Sequence, residues 1–206
     1  MRQEQFKRAI EKQLEQPDQE AGPEKAEKVD RRKKSQADVL IELAEKSGVE
    51  LFHTPLDDTF ATLPVGDHLE NWPVRSKAVR QWLTRMFYAA TKKAPNSEAL
   101  QNTLNLLEAK ARFDGEKTQI HLRTAWAGGD LYYDLADDLW RAVKITKSGW
   151  QIVKNPPVKF QRYKHMAAQV EPLSGGDLED LFGSINIKSE GEQSLIKSFV
   201  TVGLIP

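Results

Sequence analysis

Four aspartates cluster in the stretch DLYYDLADD: Asp130, Asp134, Asp137 and Asp138. Paired carboxylates can hold Mg²⁺ for phosphoryl chemistry, and Asp130 and Asp134 would share one face of a β-strand because side chains alternate along it. Asp130 also follows two glycines, and Asp137 and Asp138 fall at an expected turn, where aspartate is common for backbone reasons. A metal-dependent enzyme of nucleic acid is therefore one alternative, and an ordinary structural role is the other.

Other groups that could act as nucleophiles, ligands or phosphate binders are isolated or absent. The chain has no cysteine, which excludes disulfides, thiolate zinc sites and thiol nucleophiles. His53 and His68 are too isolated to define a metal site, and His121 and His165 fall in a predicted strand and loop. No serine lies in a nucleophile-elbow sequence, and neither GG nor SGG continues into the Gly-Lys-Ser/Thr of a P-loop. We expect no cofactor and no bound metal.

Two segments are rich in lysine and arginine and poor in acids. Residues 72–113 contain Glu98 and Glu108 as their acids, and residues 141–164 contain none. Such segregation predicts a surface that contacts nucleic-acid phosphates with little sequence preference and weakens with salt. The alternative is a solvated helix face and lysine-protected strand edges. The candidate DNA-binding residues are Arg75, Lys77, Arg80, Arg85, Lys92, Lys93, Lys110 and Arg112.

The tryptophans raise the possibility of base stacking. Trp82 belongs to an apolar helical stripe, and Trp140 and Trp150 fall in predicted strands, where burial is expected. Trp72, beside a proline, and Trp126, beside a turn, are the expected exposed tryptophans.

Two predicted helices position the first basic segment. Apolar residues from Val79 to Phe87 recur at i, i+3, i+4, i+7 and i+8, which predicts a core-facing stripe. Lys77, Arg80 and Arg85 fall on the opposite side. The next helix begins near Asn96 or Ser97, either of which can cap it, and Gly115 ends it.

The remaining pattern predicts a helix, a hairpin and then a sheet. Residues 36–47 form a helix stopped by Gly48, and VELFHT with TFATLPV forms a hairpin. After residue 115 the period changes from helical to alternating, and TQIHLRTAW, DLYYDLA, LWRAVKIT and GWQIVK read as an antiparallel meander. VKFQRYK adds one more strand, and LEDLFG and SLIKSFVTVGLI form terminal helices.

The order of elements predicts an α+β fold, with helices packed on an antiparallel β-meander. It is similar to a winged-helix arrangement, in which two consecutive helices precede a hairpin wing. Residues 1–35 are expected to be an N-terminal helix and a flexible, disordered charged linker, and residues 36–165 the α+β DNA-binding domain. Residues 166–206 form an acidic connector and a C-terminal helix.

Because the chain has no cysteine and no apolar N-terminal run like that of a signal peptide, we expect a cytoplasmic protein. Hydrophobic residues make up 39% and charged residues 29% of the chain, which suits a core with additional solvated chain. Net charge is formally zero, so only its distribution bears on nucleic acid. No apolar run approaches the roughly 20 residues that span a bilayer, so no membrane contact is expected.

Several strings resemble a region of large phage and mobile-element replication proteins. The most specific are WPVRS, EAKARFDG, DLADDLWRAVKIT and SGGDLEDL, and the resemblance runs from about residue 37 to the C-terminus. In those proteins the region lies directly upstream of a P-loop ATPase domain of the primase-helicase kind. The resemblance implies a P-loop ATPase or helicase domain as partner, in cis or in trans.

These observations together predict a non-catalytic DNA-binding and docking module of a phage-type replicative ATPase. The 206 residues contain no P-loop, so ATP hydrolysis is expected to need a further domain. A structural or homo-oligomerising module without DNA binding is the second hypothesis, and the metal-dependent enzyme is the third.

Overall fold

The computed structural model of the chain describes residues 34–177, 179–185, 187 and 189–202. The predicted N-terminal helix and the predicted linker as far as residue 33 lie outside this part. The helices are α1 Gln36–Lys46, α2 Lys77–Thr91, α3 Ser97–Phe113, α4 Glu179–Ser184 and α5 Glu190–Val202. The strands are β1 Glu50–His53, β2 Thr59–Val65, β3 His68–Pro73, β4 Glu116–Lys117, β5 Ile120–His121, β6 Thr124–Ala127, β7 Asp130–Asp134, β8 Ala142–Thr146, β9 Gly149–Val153 and β10 Lys159–Phe160. The predicted α+β class is confirmed.

The first sheet has the order β3-β2-β1-β4. β1 and β2 form the predicted hairpin, β3 pairs antiparallel with β2, and β4 lies parallel to β1. β3 was not expected, because its most buried side chain is Asn71 rather than an apolar residue. Asn71 Oδ1 accepts a hydrogen bond of 2.8 Å from Thr62 Oγ1, which satisfies both groups. A hydrophobicity pattern does not reveal a strand held by such a pair.

The first three helices share one core with this sheet. Leu40 of α1, Leu83 of α2 and Leu107 of α3 meet Ala61 and Leu63 of β2, and all five are essentially inaccessible to water. After α3, Gly115 approaches β1 so closely that a Cβ there would clash with the carbonyl oxygen of Leu51. The burial of the three leucines shows that the predicted helical stripes face the core.

The second sheet is the predicted antiparallel meander, β6-β7-β8-β9. Its inner face packs with Val158 and Phe160 into a separate small core around Tyr132. The predicted first strand is divided, since β5 leaves the meander and pairs parallel with β10. The predicted extra strand is therefore present as β10, but it pairs with β5 in a two-stranded sheet and does not join the meander.

The element order differs from the predicted winged-helix arrangement. A three-stranded antiparallel sheet precedes α2 and α3, and the chain after α3 returns to that sheet as β4. A wing would instead be a hairpin directly after the second helix. The meander that does follow is a sheet of its own.

Both predicted terminal helices are present as α4 and α5. Lys197 of α5 forms an ion pair with Glu179 of α4 and lies 5.5 Å from the centre of the Phe182 ring. Within the described residues, no helix combines the length and apolar character that crossing a membrane requires.

Candidate nucleic-acid interface

Helix α2 carries the centre of the predicted interface. It begins after Ser76, whose Oγ accepts the N–H of Val79 at 3.3 Å, and it ends at Lys92 in the left-handed conformation. Val79, Leu83 and Phe87 are buried. The predicted division of this helix into an apolar half and a basic half is confirmed.

The polar half of α2 is a cationic surface that contains no acid. Neither α2 nor the loop that follows it contains an aspartate or glutamate. The helix and the loop after it carry five exposed cations, and no ion-pair partner lies within their reach among the described residues. We call these five the α2 basic face: Lys77, Arg80, Arg85, Lys92 and Lys93. Lys92 Nζ rests 5.8 Å from the centre of the exposed Tyr88 ring. At 1.5 Å per residue, Lys77 and Tyr88 lie about 17 Å apart along the helix axis.

Helix stability does not account for this charge distribution. The first turn of α2 contains Lys77 and no acid, and its last turn contains no base. Cations at a helix N-terminus oppose the macrodipole, whereas acids there would stabilise the helix by about 0.3–1 kcal/mol each. The N-terminal N–H groups instead add to the positive potential of the basic face.

The other three candidate residues are held in ion pairs. Arg75 Nε donates to both carboxylate oxygens of Glu108 at 3.0 Å, and this contact holds the pKa of Glu108 below its ordinary value. Lys110 pairs with Glu45, and Arg112 pairs with Asp57 at 3.0 Å. Each partner acid lowers the local positive potential. Within the described part of the chain, the eight candidates therefore divide into five cations without an acidic partner and three with one.

The second basic segment is largely neutralised by acids from elsewhere in the chain. Asp130 lies 2.9 Å from Lys144, Glu50 lies 2.6 Å from Lys159, and Asp67 pairs with Lys154. Arg141 and Arg162 are also paired with acids. The segment is therefore acid-free along the chain but not in the folded protein, because five of its seven cations lie beside acids.

The aspartate cluster is arranged around arginines. Asp134 is only 1% exposed, and its Oδ2 accepts Arg162 Nε at 3.0 Å. Asp137 accepts the Arg141 N–H at 3.0 Å and Arg141 Nε at 2.6 Å. Burial alone would raise the pKa of Asp137, but these bonds outweigh it and lower the pKa. In the described part of the chain, no three histidine or carboxylate groups are placed to share a metal ion.

The string DLADDLW, residues 134–140, ends β7 and forms most of the loop between β7 and β8. Ala136 and Trp140 both have positive φ, at 52° and 53°, which is uncommon for residues other than glycine. The Trp140 N–H donates to the carbonyl of Asp137 at 3.1 Å, and the Arg162 guanidinium lies 4.1 Å from the centre of the Trp140 ring. This string therefore has a structural role in the fold.

The solvent exposure of the tryptophans agrees only in part with what the sequence predicts. Trp126 is 53% exposed and Trp140 is buried, as expected. Trp72 is half-buried rather than exposed, since its Nε1 donates to Glu70 at 2.6 Å and its ring packs edge-on against Trp140. Trp150 is 41% exposed rather than buried.

The exposed tryptophans mark a surface that sequence reasoning missed. In the register of the meander, Trp126, Leu131, Ile145 and Trp150 pair successively across all four strands and share one face, on which the two tryptophans are exposed and Leu131 is buried. We call these four residues the tryptophan row. The signal was present in the sequence, because these strands carry apolar residues on both faces rather than on one.

Comparison with protein-family models, with curated proteins and with solved structures finds no match to this chain.

Proposed function

We propose that this protein is a non-catalytic DNA-binding and docking module that holds phosphates on the α2 basic face. The single observation that carries the proposal is the set of five exposed cations on and after one helix, for which no acidic partner lies among the described residues. Unpaired cations on one surface attract the nucleic-acid backbone and release its counterions on binding. Because the net charge is formally zero, this local surface rather than the total charge would provide the attraction.

The docking part of the proposal rests on α5 and on the resemblance to regions upstream of a P-loop ATPase. Leu195, Phe199 and Val202 follow an i, i+4, i+7 pattern and are 71%, 77% and 61% exposed. Exposed apolar stripes of this kind mark protein interaction sites. A P-loop ATPase or helicase domain of a phage-type replication protein is the proposed partner.

DNA affinity at low salt tests the first part of the proposal. Fluorescence anisotropy with a labelled oligonucleotide should detect binding by the wild-type protein. Replacing two phosphate contacts in Arg80→Ala with Arg85→Ala should weaken it at least about 100-fold, since each charged hydrogen bond contributes roughly 1.5–3 kcal/mol.

A matched control is the double variant Lys110→Ala with Arg112→Ala. It removes the same amount of positive charge, but from residues that already face Glu45 and Asp57. We expect a change in affinity of less than about twofold, because only paired surface charges are lost. Absence of binding at low salt, or equal losses in the two double variants, would contradict the proposal.

The tryptophan row favours a second candidate, a structural module that assembles or positions an ATPase without binding DNA. Two exposed tryptophans on an apolar sheet face suit a protein contact better than a contact with phosphates. Light scattering that shows a stable assembly, together with no DNA affinity, would support this candidate.

A further inference from the structure

A groove runs along the flank of α2 that adjoins the basic face. It has a volume of about 370 Å³ and lies between α2 and the turn that joins β2 to β3. The volume falls within the roughly 300–1,000 Å³ of small-ligand sites. The side chains that line it include Trp82, Met86 and Ala89 from α2, Pro64 and Val65 from β2, and Arg85 at the boundary with the basic face.

The walls of this groove suit a flat, apolar ring. The indole of Trp82 is partly buried against the main core and offers a fixed aromatic surface. Met86 adds a polarizable sulfur, which makes favourable contacts with aromatic rings. Pro64 and Val65 face them from the sheet side. An aromatic ring in this space would therefore touch apolar atoms on both sides.

Arg85 connects the groove to the basic face. It lines the groove, it is exposed, and it has no ion-pair partner among the described residues. It follows Trp82 by three residues, a rise of about 4.5 Å along the helix. A ligand that combines an aromatic ring with a nearby anion would therefore satisfy both features, and a nucleotide is such a ligand.

We propose that this groove holds an unpaired base of single-stranded nucleic acid, stacked against Trp82, while Arg85 and the rest of the α2 basic face hold the adjoining phosphates. The inference rests on the proposed function and names its substrate more closely. A base within a duplex is stacked on both faces by its neighbours, so it cannot enter the groove. Base–aromatic stacking is tolerant of sequence, so little sequence preference is expected.

Ala89 provides a direct test. Ala89→Phe places a ring in the groove, whereas Ala90→Phe makes the same substitution at the next exposed residue of α2, which does not line the groove. The probes are an oligothymidine strand, the same strand annealed to oligoadenine, and a single strand with one 2-aminopurine, whose fluorescence is quenched by stacking. Circular dichroism verifies that both variants are folded.

We expect the wild-type protein to bind the single strand more tightly than the duplex and to quench 2-aminopurine. Ala89→Phe should weaken single-strand binding by about 5- to 150-fold, the range that corresponds to one base–aromatic stack, and should abolish the quenching. Ala90→Phe should change neither by more than about twofold. Duplex affinity should be the same in both variants.

The outcomes separate this inference from the proposed function. Tight binding without single-strand preference, or equal single-strand affinity in the two variants, would overturn the proposal that the groove holds a base. The proposal that the α2 basic face holds phosphates would still stand. Absence of nucleic-acid binding by the wild-type protein would overturn both. If an acidic peptide competed for the groove and Ala89→Phe blocked that peptide without affecting the single strand, the occupant would be a protein and the inference would be overturned.

Discussion

The carboxylate of Asp134 is enclosed by Arg162, which also covers the ring of Trp140. The side chains of this ion pair are 1% and 10% exposed, so both charges have lost most of their hydration. Removing one partner from such a pair lowers the stability of the fold by more than the pair itself contributes to it, because the other charge stays buried without a counter-charge. The same contact explains why a carboxylate in a metal-like spacing is not available to a metal.

Arg162→Leu should lower the free energy of unfolding by about 3–5 kcal/mol, because Asp134 would remain buried without a partner. Urea denaturation measures the change. Lys164→Leu is the matched control, since Lys164 is exposed and has no ion-pair partner in the described part of the chain. This variant should lower the free energy of unfolding by less than about 0.5 kcal/mol. Similar losses in the two variants would show that the enclosed ion pair does not support the fold.

Helix α3 shows how one side chain decides where an element begins. The sequence allowed Asn96 or Ser97 as its cap, and the structure selects Asn96, whose Oδ1 accepts the N–H of Ala99 at 2.7 Å. The Asn96 N–H in turn donates to the Gln36 side chain at 2.8 Å, so the cap also contacts the start of α1. This second contact depends on the packing of two helices that are distant in the sequence.

Asn96→Ala should destabilise the protein by about 1 kcal/mol, the usual cost of losing an N-cap side chain. Ser97→Ala removes a polar side chain one residue further on, where it is exposed and caps nothing, so its effect should stay within about 0.5 kcal/mol. Thermal or urea unfolding of the two variants compares them directly. A larger loss in Ser97→Ala would mean that the helix starts one residue later.

Across the whole molecule, the acids decide which basic residues are available to a partner. The two basic segments are acid-poor along the chain, but strands and helices distant in sequence supply carboxylates to most of the second segment and to part of the first. Among the described residues, the cations of these two segments that have no acidic partner lie on α2 and the loop after it, apart from Lys147 and Lys164. A folded protein with zero net charge can therefore present one positive surface.

The salt dependence of binding measures how many cations take part. With five phosphate contacts, log Kd against log salt concentration should have a slope of about 3.5 in magnitude for a single strand. If every basic residue of both segments were in contact, the slope would be about 10. Anisotropy titrations from low to moderate salt give the slope, and a value near the larger figure would mean that the ion pairs open on binding.

Elements whose signals are local could be predicted from the order of residues alone. The apolar stripe from Val79 to Phe87, the hairpin of β1 and β2, and the meander all follow from periodicity and turn residues, and the structure confirms them. The division of α2 into an apolar side and a basic side can be predicted in the same way, because helical spacing alone sets which residues share a face.

Contacts between distant segments set which charges are paired, how β3 and β5 are held, and where tryptophans are exposed. Asp134 and Arg162, like Glu50 and Lys159, are far apart in the sequence, and no local pattern indicates that they meet. The groove beside Trp82 likewise exists because β2 and its turn lie against α2. Pairing and enclosure depend on distances between segments, and those distances are set by the packing of the whole fold rather than by the order of residues.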